Sequence, residues 1–248
     1  MASADTESKH KNDIYGDVDN PRAAKAKPAT PAATVVLLRD SDAGPEVLML
    51  RKNAKIDFGG MWVFPGGRID PEDADGDGNR EATARNAAAR EAAEEAGIEV
   101  DPADFVWFAH WTPPPTTPVR FATWFFAARA NDQAITIDDG EIKDHQWITP
   151  AGALAKHTNG EIDLVPPTWV TLYHLSRYRP VDALLAHLGA RDARYYETRA
   201  VKRSDGVRVA LWAGDAGYED WDADRAGPRH RLVMPEDGFS FENDAVDY

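Results

Sequence analysis

The sequence predicts an α/β protein with a mixed sheet flanked by helices and a β-rich extension towards its C-terminal end. Three observations carry this. Short runs of β-branched, aliphatic and aromatic residues recur between clusters of Gly, Pro, Asp and Ser, the pattern of strands and their loops. A long alanine-rich helical stretch interrupts them, and three shorter helices follow, two of them opened by proline. The 248 residues, 43% of them hydrophobic, suffice for one full core with an appendage. Residues 1–30 mix Ala, Lys, Asp, Asn and Pro without periodicity and are expected to form a disordered tail. The main domain is expected over 31–190 and the β-rich extension over 191–248.

Taken in order, Thr34 to Leu38 and Val47 to Leu50 are apolar runs split by Asp40 to Pro45, which predicts two strands and a loop, with Arg51 closing the second. Ile56 to Gly60 is a loop and Met61 to Phe64 a strand, leading into a Gly66-Gly67 turn. Asn79 is the N-cap of the long helix and Gly97 its stop. Phe105 to Ala109 and Phe121 to Phe126 are strands joined through a bend at Pro113-Pro114-Pro115. Asp144 to Ile148 is a further strand. Pro150 to Lys156, Trp169 to Arg177 and Val181 to Leu188 are helices. In the extension, Val207 to Trp212 and His230 to Met234 are strands of a β-hairpin or a dimer arm, and Glu242 to Tyr248 is loose.

The chemistry concentrates between Phe64 and Val100. With Glu91 at zero and about 100° per residue, Glu94 falls near 300° and Glu95 near 40°, so three carboxylates share one narrow helix face. Such crowding is costly unless a cation sits among the oxygens, and hard divalent ions such as Mg²⁺ or Mn²⁺ prefer these ligands. Ala82, Ala89, Ala93 and Ala96 form an opposite strip of small side chains, expected to let the helix lie close on a sheet. The Gly66-Gly67 turn brings bare backbone beside the carboxylates. The ordinary alternative is a solvated acidic face, and the adjoining glycines argue against it. Upstream, Asp73, Asp75, Asp77 and Glu81 stand at positions 1, 3, 5 and 9 of a calcium-loop pattern, with Gly78 and Gly76 nearby. Ala84 stands where that pattern needs its bidentate Glu, so Ca²⁺ competes here with a plain acidic loop.

These residues resemble the Nudix hydrolases. Arg90 to Ile98 match the second half of that family's box throughout, while Gly67 and Arg90 stand 23 positions apart where the box has 14, so nine residues are inserted. Ala82 occupies the place of the early box glutamate that steadies the arginine, and Glu81 is the nearest substitute. The resemblance implies an α/β/α sandwich and a metal-dependent hydrolase of a nucleoside diphosphate linked to another moiety. It implies Gly67, Glu91, Glu94 and Glu95 as metal ligands. Glu94 would take the proton of the attacking water, or Glu141, which lies where the family often carries a further glutamate; an ordinary acidic turn is the alternative for Glu141.

Phe64 to Gly67, the Arg120 to Phe126 strand, Trp147-x-x-Pro150 and Pro166-Pro167-Thr168 are similar to the branch with peroxisomal coenzyme A diphosphatases. Lys52, Ile56, Ala122 and Trp124 depart from that branch. Arg51, Arg68 and Arg120 are the candidate phosphate-binding residues, guanidinium geometry being suited to the task. Coenzyme A or an acyl derivative is the favoured substrate, with ADP-ribose or a dinucleotide next and a non-catalytic ligand-binding Nudix module as the rival from another class. The 28 basic and 42 acidic residues give a net charge of −14, which argues against nucleic acid and anionic membranes as partners. There is no cysteine, no signal-like leader and no run near the roughly 20 apolar residues of a spanning helix. A cytoplasmic protein, alone or as a homodimer, is the expectation.

Overall fold

The computed structural model describes residues 9–19, 21–23, 27–55 and 57–248, and the chain divides into two units, 29–112 with 119–195 and 1–28 with 113–118 and 196–248. The first is built on β1 (Thr30–Ser41), buried without a break from Ala32 to Leu38. Alternate side chains of a strand point to opposite faces, so such a run requires cover on both. β2 (Gly44–Lys52) returns antiparallel from β1, and β6 (Phe121–Arg129) lies parallel on its other side. With β3 (Trp62–Val63) and β5 (Val106–Thr112) the order is β3-β2-β1-β6-β5, while β4 (Gly66–Arg68) also pairs β1 and β7 (Ile142–Ile148) pairs β2. The sheet is therefore mixed.

α1 (Arg80–Ala96) covers one face. Asn79 accepts the amides of Glu81 and Ala82, and Gly97, at φ +66°, returns its own amide to Ala92 and Ala93, as the sequence predicts for both caps. The buried side chains are Ala84, Ala87, Ala88, Ala92 and Ala96, together with Glu95. The expected strip is thus corrected: of its four alanines only Ala96 is buried, and Ala93 is exposed. The face that meets the sheet takes in Glu95 and half-buries Glu91, because glycines beneath them leave room, while Glu94 stays exposed. α2 (Pro150–Thr158) and α3 (Pro166–Leu175) pack on each other, and α4 (Val181–Gly189) reaches β1 where the Val181 amide donates to Asp40 at 3.0 Å. Gly66 and Gly67, expected as a turn, form a short strand opposite Thr34 and Ala33.

β8 (Arg194–Glu197) leads out of the first unit. The second holds an antiparallel sheet in the order β12-β11-β10-β9, from β9 (Arg199–Lys202), β10 (Arg208–Leu211), β11 (His230–Met234) and β12 (Ser240–Asn243). Val201, Val209, Leu211 and Val233 form its core with Tyr218. Asp215 and Arg231 make a buried two-pronged ion pair, both contacts at 2.6 Å. The described part of residues 1–30 corrects the expectation of a tail: Asp13 pairs with Arg208, both buried, and Tyr15 is also buried. A polar segment becomes ordered when its charge finds a partner 195 positions away, which composition read in a local window does not register. Glu242 to Tyr248, expected to be loose, is held by β12 and by the Tyr248 hydroxyl, which meets His230 and Tyr196.

Candidate active site

Two glycines set the floor of the site. The Pro65 carbonyl is fixed by the Thr34 hydroxyl at 2.6 Å and the Val35 amide at 3.0 Å, which turns the Gly66 amide towards α1. That amide donates to Glu95 Oε2 at 2.9 Å. A Cβ on Gly66 would stand 2.6 Å from the Ala33 carbonyl oxygen, and one on Gly67 would collide with the Glu91 carboxylate. Both positions need glycine because backbone and carboxylate approach this closely.

Glu95 is 3% exposed and is ion-paired with Lys52, whose Nζ also lies 3.6 Å from Glu141 Oε2. Burial pushes its carboxyl up, with Lys52 opposing and Glu141 adding to the rise. Burial, then repulsion from Glu95, pushes Glu91 up to about 7. Glu94 is the exposed member, 2.8 Å from Arg90 Nη1. The structure therefore brings Glu95 and Glu141 to Lys52 and sets Glu91 against Gly67, with Glu94 on the outer edge. Sequence reasoning had Lys52 only as a departure from a family pattern. Its alternation with Arg51 on β2, which puts it on the α1 side with Leu48 and Leu50, was the available signal.

Arg90 is held by Asp73, with Nε to Oδ1 at 2.9 Å and Nη2 to Oδ2 at 3.0 Å. Glu81, the expected substitute partner, binds Arg85 instead, at 2.9 and 2.6 Å. This also corrects the calcium loop. Asp73 is committed to Arg90 and Glu81 to Arg85, while Asp75 accepts the amides of Asp77 and Asn79. Three of the four carboxylates are thus engaged elsewhere.

Arg51 lies on the opposite side of β2 from Lys52 and lines a cleft of about 380 Å³ with Trp62, His145 and Lys156. Arg68 sits over the Phe121 ring at 5.7 Å, and its carbonyl accepts from Arg90 at 3.0 Å. Arg120 precedes Phe121 and is half-buried, which lowers its guanidinium pKa. The three arginines are thus spread over the sheet end and do not form one clamp. Trp111 is buried and Trp124 packs on Trp107 with ring centroids 4.4 Å apart, so both are packing residues. Ile56 lies outside the described residues.

Among the described residues no three acidic or histidine side chains close into a ready-made cage. The donor set nonetheless fits a hard divalent cation: carboxylates raised by burial and mutual repulsion, beside a glycine backbone they nearly touch, are oxygen ligands whose charge a cation would relieve.

A family profile described as the NUDIX domain matches residues 28–167. Comparison with curated proteins finds no match. Among solved structures the chain is similar to a NUDIX hydrolase from Alicyclobacillus acidocaldarius, with TM-score 0.59 and 23% identity over 68% of this chain and 100% of that one. It is also similar to the NUDIX domain of Shewanella oneidensis NrtR complexed with ADP ribose, with TM-score 0.45 and 23% identity over 61% and 88% of the two chains. A C. elegans Ap4A hydrolase in a binary complex has TM-score 0.37 and 20% identity over 65% and 96%. The first shares the fold; the other two superpose too loosely to bear on this chain's substrate.

Proposed function

The chain belongs to the Nudix family of hydrolases, which act on nucleoside diphosphates linked to another moiety, and from that premise we propose that it cleaves the diphosphate of coenzyme A or an acyl-coenzyme A. The observation that carries the catalytic reading is the seating of Glu91 on Gly67 and of Glu95 on the Gly66 amide. Glu91, Glu94, Glu95 and the Gly67 carbonyl are the residues to hold Mg²⁺ or Mn²⁺. Such an ion, when bound, neutralises the diphosphate and lowers the pKa of water.

The rest falls to the chain. Water oxygen bonds to one phosphorus as the bridging P–O bond breaks, giving two phosphomonoesters, and the proton passes to a carboxylate. Glu141 suits this role because its side chain is more than half exposed while Lys52 holds it beside the cluster; Glu94 is the alternative, though Arg90 already engages it. Arg68 and Arg120 are the cations proposed for the substrate's phosphates, while Arg51, on the other side of β2, is not among them. Coenzyme A stays ahead of ADP-ribose or a dinucleotide because Trp124, the residue that would favour a second planar group, is spent on Trp107. A non-catalytic binding module is disfavoured because all three box glutamates are retained. The reading is of a cytoplasmic enzyme; no described helix is long and apolar enough to cross a membrane.

The test is kcat/KM for coenzyme A, dephospho-coenzyme A, ADP-ribose and a dinucleotide under one Mg²⁺ or Mn²⁺ condition. The proposal expects coenzyme A to lead and loss of the 3′-phosphate to lower the value. Faster cleavage of ADP-ribose, with no effect of the 3′-phosphate, overturns the coenzyme A assignment and leaves a diphosphatase. No cleavage of any of them overturns the proposed activity.

A further inference from the structure

The β5–β6 loop, Pro113 to Pro118, has proline at four of its six positions, so most of its φ angles are fixed and those four residues have no amide to donate. Such a loop is stiff, yet it has few bonds with which to hold its own place; within it the Thr117 amide donates to the Pro114 carbonyl at 3.1 Å. A further anchor comes from the N-terminal segment. The Thr116 hydroxyl donates to the Tyr15 carbonyl at 2.7 Å. Gly16, at φ +67°, lies so close that a Cβ on it would stand 2.3 Å from the Thr116 carbonyl oxygen and 3.4 Å from Cδ of Pro118. Residues 13–16 are themselves held. Asp13 pairs with the buried Arg208 of β10, its Oδ1 accepts the Tyr15 amide at 2.8 Å, and Arg208 Nη2 donates to the Gly16 carbonyl at 2.6 Å. Arg120 follows Pro118 by two residues, and its carbonyl accepts the Thr30 amide at 2.8 Å as β6 begins. Its side chain is half-buried, so its reach is set by where the backbone places it.

We propose that residues 13–16 are a strap that sets the β5–β6 loop and through it positions Arg120 for the substrate's phosphates, with Gly16 and Thr116 as the positioning residues. This rests on the reading of Arg120 as a phosphate-binding residue of a diphosphatase. Because the loop is stiff, a shift imposed at Thr116 passes through Pro118 to Arg120 and is not absorbed on the way. The carboxylates of α1 are no part of this chain of contacts. Loss of the strap therefore weakens substrate binding and leaves the chemical step alone, which is a rise in KM at constant kcat.

The experiment compares Thr116→Val, Thr116→Ser, Gly16→Ala, Arg120→Met and the Thr116→Val/Arg120→Met double variant with the unaltered full chain. It reads kcat and KM on whichever diphosphate is cleaved, Mn²⁺ affinity by calorimetry without substrate, and the thermal midpoint. Thr116→Val keeps the shape and removes the donor, and is expected to raise KM about tenfold with kcat and Mn²⁺ affinity unchanged. Gly16→Ala, which pushes on Thr116 from the strap, should do the same. Thr116→Ser keeps the hydroxyl and should keep the KM of the unaltered chain. Arg120→Met should raise KM at least as far as Thr116→Val, and the double variant no further than Arg120→Met, because both changes act through one guanidinium. A KM within about twofold of the unaltered chain in Thr116→Val or Gly16→Ala, with only the midpoint lowered, would make the strap purely structural and overturn the proposal. A rise in the double variant equal to the product of the two single rises also overturns it, since the loop would then act without Arg120. If Arg120→Met leaves KM unchanged, the phosphate-binding reading of Arg120 fails, and the proposal falls with it.

Discussion

Glu95 is a buried carboxylate on the face of α1 that packs on the sheet, held between an ammonium and a backbone amide. A charge in that position survives only with partners, which is why Lys52 and the Gly66 amide both point at it. Glu95→Gln keeps the shape and removes the charge that a divalent ion would need. We expect kcat to fall by at least about a hundredfold, roughly 3 kcal/mol of barrier, with the helix content by circular dichroism unchanged. Unaltered turnover in this variant would remove Glu95 from the site. Lys52 makes a second prediction at this scale. Its ammonium competes for the oxygens that a cation would use, so Lys52→Met should bind Mn²⁺ more tightly in calorimetry; equal or weaker binding counts against this account.

At the scale of elements, the decisive contact is β4 against α1. The strand is three residues long and two of them are glycine, so its value lies in closeness, not in sheet stability. Gly67→Ala should push the Glu91 carboxylate away, destabilise the protein by about 1–3 kcal/mol as overpacking does, and weaken Mn²⁺ binding. Denaturant unfolding and calorimetry check the two parts separately. The insertion before α1 carries the other lesson. Its spacing resembles a calcium loop, yet three of its four carboxylates are engaged by Arg90, Arg85 and neighbouring amides. We expect calorimetry in excess Mg²⁺ to show no added Ca²⁺ binding that Asp75→Asn or Asp77→Asn removes. Ca²⁺ binding lost in either variant would restore the loop reading.

Over the whole molecule, the second unit buries two ion pairs, Asp13–Arg208 and Asp215–Arg231, beside its apolar core. Breaking Asp13–Arg208 by Asp13→Ala leaves an uncompensated guanidinium and should cost about 3–5 kcal/mol in denaturant unfolding. Asp215 contributes to stability in acid. Burial favours its protonated form, but two bonds from Arg231 and the amides of His230 and Gly217 outweigh this and lower its pKa. The native state then holds a proton less readily than the unfolded chain. Its contribution is full above about pH 4 and disappears as pH falls through the lower native value. Thermal melts from neutral pH to pH 3 should show this loss, and Asp215→Asn should melt lower at neutral pH with a shallower acid dependence.

The sequence by itself determined what is local. Asn79 and Gly97 bound α1 because a cap and a left-handed stop are properties of single residues. Glu91, Glu94 and Glu95 share a face because helical geometry is periodic, and the short apolar runs became the strands of a mixed sheet. Tertiary structure alone decided what depends on residues distant in the chain: that Glu95 of the carboxylate face is buried while Glu94 is exposed, that Lys52 enters beside it, and that Asp13 is buried against Arg208. Each of these is set by a charge finding its partner across the fold. Periodicity fixes which side of an element a residue occupies, while the partner waiting on that side is fixed by packing.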